Sequence, residues 1–189
     1  MAQTLYLVRH GQTESSKRLA YSGRSDVALT GEGRAQAARV AAKLAGAGLD
    51  GVFSSPLSRA RDTAQAIADA AGLLVTVDER LTEVDYGDFE GLDRAGAGAR
   101  LGTAFDDWRA DPFGSPVPGM EPLADALARA RAATADALAA CERPVIVGHQ
   151  GILRIVLIAL GELEPQDYFT RRLHEADPIV VASPALAAV

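Results

Sequence analysis

Short apolar runs alternate along the chain with longer segments of helical spacing. Thr4-Leu5-Tyr6-Leu7-Val8 reads as a strand buried on both faces. Val52-Phe53-Ser54, Leu74 to Val77, Val145-Ile146-Val147 and Ile179-Val180-Val181 read as further strands. Thr30 is placed as a helix N-cap, with Glu32 in the first turn where the dipole favours an acid. That helix runs to about Leu44 and is ended by Gly46 and Gly48. Ser55 as cap and Pro56 at the first position open a second helix, ending near Gly72. Glu121 to Ala140 is alanine-rich and helical, and Gln150 to Leu160 is a strongly apolar helix stopped by Gly161. From about 82 to 120, Gly, Asp and Pro break the periodicity. An irregular insertion is predicted there, with a short helix around Phe105 to Trp108, of the kind that often walls a site. The alternation predicts a single α/β domain over residues 1–189: a three-layer αβα sandwich with a mostly parallel central sheet.

Composition narrows the function classes. The hydrophobic fraction of 48% and charged fraction of 23% suit a globular chain with an aliphatic core. A formal net charge of −6 argues against nucleic acid as a partner, since that needs a basic face. An anionic substrate then requires a local arginine cluster. Cys141, the single cysteine, permits no intramolecular disulfide and is expected as a small core residue. Arg9 and His10 interrupt the first apolar stretch, so no secretory signal is read. The run from Ile152 to Leu160 contains Arg154 and is too short to span a bilayer. The expectation is a cytoplasmic protein with no membrane partner, monomer and homodimer both remaining open.

In open α/β sheets, ligands bind beyond the carboxyl ends of the strands. Arg9-His10-Gly11 follows the first strand, Ser54-Ser55 and then Arg59 the second, Glu83 the third, and Gly148-His149-Gln150-Gly151 the fourth. Two of the three histidines, two arginines and an acid are thereby predicted at one sheet edge. Arginine forks match phosphate oxygens, and a neutral imidazole is a nucleophile toward phosphorus. A carboxyl group can protonate a leaving alkoxide and then deprotonate water. The bland readings are a capping role for His10 or His149, a solvated helix face for Arg59 as for Arg61, and a surface or packing role for His174. Asp85 stands beside Glu83 as a rival acid.

Arg9-His10-Gly11-Gln12-Thr13 resembles the Arg-His-Gly motif of the histidine phosphatase superfamily, also called phosphoglycerate mutase-like. The likeness continues through Ser22-Gly23-Arg24-Ser25-Asp26, Leu29-Thr30, Gly33 and Gln36-Ala37. Ser54-Ser55-Pro56-Leu57-Ser58-Arg59-Ala60 with Thr63-Ala64, Leu81-Thr82-Glu83 with Tyr86-Gly87 and Glu90-Gly91, and Val147-Gly148-His149-Gln150-Gly151 resemble its later blocks, in order. The resemblance implies His10 as phosphorylated nucleophile, Arg9 and Arg59 as clamps on the phosphoryl oxygens, His149 as second phosphate-binding histidine and Glu83 as acid and base. It places Gly11, Thr13, Ser16, Ser22, Gly23, Tyr86 and Gln150 on the substrate side, and needs neither metal nor organic cofactor for hydrolysis. Ser16 stands where the family often has asparagine, and Gln150 where glycine is commoner.

Phosphatase and mutase share this set. Mutases look longer between the acid and the second histidine and typically follow the acid with an arginine, where this chain has Val84. The layout resembles the small phosphatases, the α-ribazole phosphatase group included, and the expected substrate is a small-molecule phosphate monoester. A mutase or a non-catalytic phosphate-ligand binder is the alternative. Phe105, Trp108, Phe113 and Met120 are expected to wall an organic leaving group, so that replacing Trp108 alters substrate preference. The apolar tail after Pro184 leaves packing, fraying and a partner chain open.

Overall fold

A computed structural model describes residues 3–187. Its five strands are β1 (Thr4–Arg9), β2 (Gly51–Ser54), β3 (Val75–Val77), β4 (Pro144–Gly148) and β5 (Pro178–Ala182), in the spatial order β3-β2-β4-β1-β5. All neighbouring pairs are parallel except β1 with β5. Period-two alternation sorts the side chains between two cores. Val8, Val52, Val145 and Val147 face α2 (Gly31–Leu44) and α3 (Ser58–Ala71), against Val40, Leu44, Ala64 and Ile67. Leu5, Leu7 and Ile146 face the opposite way, towards α6 (Leu123–Ala140) and α7 (Gln150–Ala159). This is the three-layer α/β sandwich expected from the alternating pattern. No helix of the described residues is long and apolar enough to cross a membrane.

Several boundaries differ, each for a local reason. Thr30 caps α2 by accepting from Gly33 N at 3.0 Å, as predicted. Ser55 does not cap α3, which starts after Leu57; its hydroxyl accepts from Leu57 N at 3.3 Å and meets the His149 ring at 2.8 Å. A four-residue helix, α1 (Glu14–Lys17), stands where a polar loop is expected; Thr13 and Ser16 cap it reciprocally. The insertion is more regular than its composition suggests. It holds α4 (Arg94–Leu101), capped by Asp93, and α5 (Thr103–Ala110), separated by Gly102 at φ 57°. Two glycines inside α4 lower its intrinsic propensity, and tertiary packing of the fully buried Ala97 overrides them. Cys141 is half-buried at the end of α6, its Sγ 3.7 Å from the Asp50 carbonyl, rather than in the core. The described part of the tail packs on the domain: Ala187 N donates to Ala159 O at 2.9 Å.

Candidate active site

The parallel register sets Arg9 opposite Gly148, so the next residue on each strand is a histidine. The His10 and His149 rings lie 5.1 Å apart, centroid to centroid, at 61°. His10 Nδ1 is 2.7 Å from the Gly11 carbonyl. A carbonyl only accepts, so Nδ1 carries the proton and the Nε2 lone pair is left free. Burial, then the charges of Arg9 and Arg59, hold the His10 imidazole well below its usual proton affinity, against a smaller opposing pull from the Gly11 hydrogen bond. The ring is therefore neutral at pH 7. His149 is depressed likewise, first by burial and then by Arg59. Its Nδ1 accepts from Arg59 Nε at 3.1 Å, so Nε2 bears hydrogen and donates to the Ser55 hydroxyl.

Glu83 is 4% exposed and is held by the start of α7. Its Oε2 accepts from Gly151 N at 2.8 Å, and its Oε1 from Ile152 N at 2.7 Å and Val84 N at 2.9 Å. Arg129 of α6 ties down the same stretch, donating to the carbonyls of Thr82 at 2.6 Å and Glu83 at 3.3 Å. Gly151 is required here. A Cβ on it would lie 2.6 Å from Glu83 Oε1, 2.7 Å from the Tyr86 hydroxyl and 3.0 Å from that of Tyr168.

A pocket of about 580 Å³ opens over these groups, lined by Arg9, His10, Glu83 and Tyr86 among others. Arg9 donates to Gln150 Oε1 at 2.8 Å and to the Leu173 carbonyl at 3.0 Å, and pairs with Glu175 at 3.6 Å. Among the described residues its buried Nε has no partner, and neither does the buried Ser22 hydroxyl on the same lining. Two orphaned donors on residues that line the same pocket as a neutral imidazole suit an oxyanion. Among the described residues no group of three His, Cys, Asp or Glu side chains could hold a metal ion.

Thr13, Ser16, Ser22, Tyr86 and Gln150 line the pocket, while Gly11, Gly23, Arg59 and His149 lie outside its lining. Gly11 is where the backbone passes close to Gly33; a Cβ there would collide with the Gly33 carbonyl. Arg59 is 1% exposed and its fork is occupied by His149 and by the carbonyls of Ser25 at 2.7 Å, Ser22 at 3.1 Å and Gly23 at 3.0 Å. Asp85 lies outside the lining too; it is a turn residue whose Oδ1 accepts from Gly87 N. The expected apolar wall is absent. Phe105 and Trp108 are 3% and 1% exposed, packed under Tyr21 and Phe89, and neither they nor Phe113 or Met120 line the pocket. The residues present instead include Tyr21, Arg94, Arg109, Arg154, Tyr168 and Phe169, with the exposed His174 at the rim. One signal for Arg154 was available: a charge four residues after Gln150 in an otherwise apolar helix.

The sequence profile of the histidine phosphatase superfamily (branch 1) matches residues 5–182. The chain belongs to this superfamily. A 2,3-bisphosphoglycerate-dependent phosphoglycerate mutase of Brucella ovis is 37% identical to it over 95% of this chain and 92% of its own. A mycobacterial glucosyl-3-phosphoglycerate phosphatase, solved with VO3, superposes with a TM-score of 0.86 at 29% identity, covering 100% of this chain and 99% of its own. The α-ribazole phosphatase of Shigella flexneri shares the fold, with a TM-score of 0.82 at 23% identity over 97% of this chain and 95% of its own. Superfamily members are phosphatases or mutases.

Proposed function

We propose that the protein is a phosphomonoester hydrolase acting on a small phosphorylated metabolite through a phosphohistidine on His10. The observation that carries this is the tautomer: Nδ1–H is tied to the Gly11 carbonyl, leaving a neutral Nε2 as the nucleophile in an arginine-bearing pocket. Nε2 attacks phosphorus, the P–O ester bond breaks, and Glu83, having taken the proton of the bound phosphate monoanion, passes it to the departing alkoxide. Water then attacks the phosphohistidine, Glu83 takes its proton, the P–N bond breaks and inorganic phosphate leaves. Arg9 Nε and Ser22 Oγ donate to the phosphoryl oxygens. Arg59, whose charge already lowers the proton affinity of His10, and His149 stabilise the transferring group from behind.

The mutase reading is supported by the 37% identical relative. Against it, Val84 after the acid is fully buried and grips nothing in the pocket. The test is phosphate release from a panel of monoesters in EDTA, with mass-spectrometric trapping of an acid-labile phosphoenzyme. Release and trapping are expected in the native protein and absent in His10→Ala. Phosphoryl transfer between phosphoglycerates without net release would favour the mutase, and retained turnover in His10→Ala would overturn both.

A further inference from the structure

Outside the pocket lining, an ion pair grips the segment that carries the acid. Arg129 of α6 pairs with Glu121, two residues before that helix. The pair is bidentate: Nε donates to Oε1 at 2.6 Å and Nη2 to Oε2 at 2.8 Å. Its remaining hydrogens go to main-chain oxygens. Nη1 donates to those of Arg80 at 2.7 Å and Thr82 at 2.6 Å, and Nη2 to that of Glu83 at 3.3 Å. All five donors of the fork are thereby committed. Glu121 completes the grip. Its Oε2 accepts from Asp85 N at 3.2 Å, and its own N–H donates to the Asp85 carbonyl at 2.9 Å. One pair thus holds the main chain at 80, 82, 83 and 85, before and after the acid. Burial pushes the Glu121 carboxyl up, and the hydrogen bonds and charge of Arg129 outweigh it, so the carboxyl lies below its ordinary range and the pair is charged at neutral pH.

The pair also reaches a second loop. Arg24 Nη2 lies 3.6 Å from Glu121 Oε2. Arg24 belongs to the loop whose carbonyls occupy Arg59 and whose Ser22 lines the pocket. That loop packs on the acid segment: a Cβ on Gly23 would collide with the Val84 carbonyl and lie 3.1 Å from Tyr86 N. Glu83 therefore has two separate attachments, its carboxylate to the first turn of α7 and its main chain to α6. They respond differently to the reaction. A hydrogen bond to a charged acceptor is roughly twice as strong as one to a neutral acceptor, so the α7 grip loosens when Glu83 takes up a proton. The Arg129 grip on the main chain does not depend on that charge.

We propose that Glu121 and Arg129 are positioning residues for proton transfer: they hold the main chain of 80–85 so that the Glu83 carboxyl keeps its place beside the leaving oxygen while it carries the proton. The proposal rests on Glu83 acting as the acid of the hydrolase. Neither residue lines the pocket, and both act through Glu83.

The test compares propyl phosphate, whose alkoxide needs a proton to leave, with 4-nitrophenyl phosphate, whose phenolate departs largely without one. Arg129→Lys keeps the charge and replaces the fork by a single point. It should lower kcat on propyl phosphate about ten- to a hundredfold, the scale of a misplacement of about 1 Å, with KM within about twofold and kcat on nitrophenyl phosphate reduced less than about threefold. Glu121→Gln should show the same split more weakly. Leu44→Ala opens a cavity in the core on the other face of the sheet, and should lower Tm while leaving the ratio of the two kcat values intact. A crystal structure of Arg129→Lys gives a readout independent of turnover: the Glu83 carboxyl is expected to move more than about 0.5 Å from its place at Gly151 N. Equal loss on both esters, loss on neither, or an unmoved carboxyl overturns the positioning role. Glu83→Gln, if it loses propyl phosphate selectively, then leaves the hydrolase reading in place. A Glu83→Gln protein that treats both esters alike removes the acid itself, and the proposal with it. Should nothing be hydrolysed, the position of the carboxyl alone decides. Should Arg129→Lys fail to fold, Glu121→Gln carries every arm of the test.

Discussion

Replacing Gly151 by alanine tests how Glu83 is positioned. The added methyl would sit 2.6 Å from Glu83 Oε1 and 2.7 Å from the Tyr86 hydroxyl, on a helix whose first turn cannot retreat without disturbing the core beneath. Glu83 must then leave Gly151 N and Ile152 N. Two hydrogen bonds to a charged acceptor are worth about 1.5–3 kcal/mol each, or about 3–6 kcal/mol together. Helix propensity returns about 1 kcal/mol for the glycine replaced. A net loss of about 2–5 kcal/mol remains, which lowers Tm by roughly 5–15 °C in a domain of this size. Calorimetry measures that directly. Kinetics supply an independent check, because a displaced acid hurts poor leaving groups most. Alkyl phosphate hydrolysis should fall about 10²–10⁴-fold, and nitrophenyl phosphate much less. A Gly151→Ala protein that melts with the native one and treats both esters equally would refute this account of Glu83.

Three further outcomes follow from other parts of the molecule. His10 and His149 are buried neutral with depressed proton affinities, so the unfolded chain binds more protons below about pH 6.5. Stability is therefore full above that pH and falls as pH drops towards the folded-state values, by about 1.4 kcal/mol per unit for each histidine; urea unfolding between pH 5 and 7 should show the slope, and His149→Asn should reduce it. Arg59→Leu leaves His149 and three loop carbonyls without their donor, and should cost about 3–5 kcal/mol in urea unfolding while raising hydrogen exchange across 22–25. Trp108→Ala removes a core side chain, so a loss of about 3–5 kcal/mol is expected with the rank order of substrates retained, in contrast to its expected role as a pocket wall.

The strands and the four long helices were legible because their apolar runs are short or periodic and their ends carry recognisable chemistry, as Thr30 and Gly72 do. His10, His149 and Glu83 could be placed at one edge because each closely follows a strand-like run. What the chain did not disclose depends on contacts distant in sequence. The oxygen of Ser55 looks like a helix cap, and only the fold shows that it meets His149, 94 residues away. Arg59 reads as a pocket-lining guanidinium until the 22–25 loop folds over it. The aromatic cluster around Trp108 has the composition of a binding wall, and only packing shows it to be core. Arg94, Arg109, Arg154 and Arg172 of the pocket lining come from four separate segments and share no spacing that a linear pattern could reveal.

The strand order has a consequence for assembly. Among the described residues β1 pairs with β4 and β5 alone, both more than 130 residues downstream, and β4 is the element inserted between β1 and β2. A nascent chain that has emerged as far as residue 143 holds β1, β2 and β3 but neither of the strands that pair with β1. His10 meets its opposite imidazole only when the late strand slots into the centre of the sheet, the slow, long-loop kind of closure. The meeting of the two imidazoles and the bridging of β1 to β2 thus arrive in a single event, before β5 closes the far edge of the sheet.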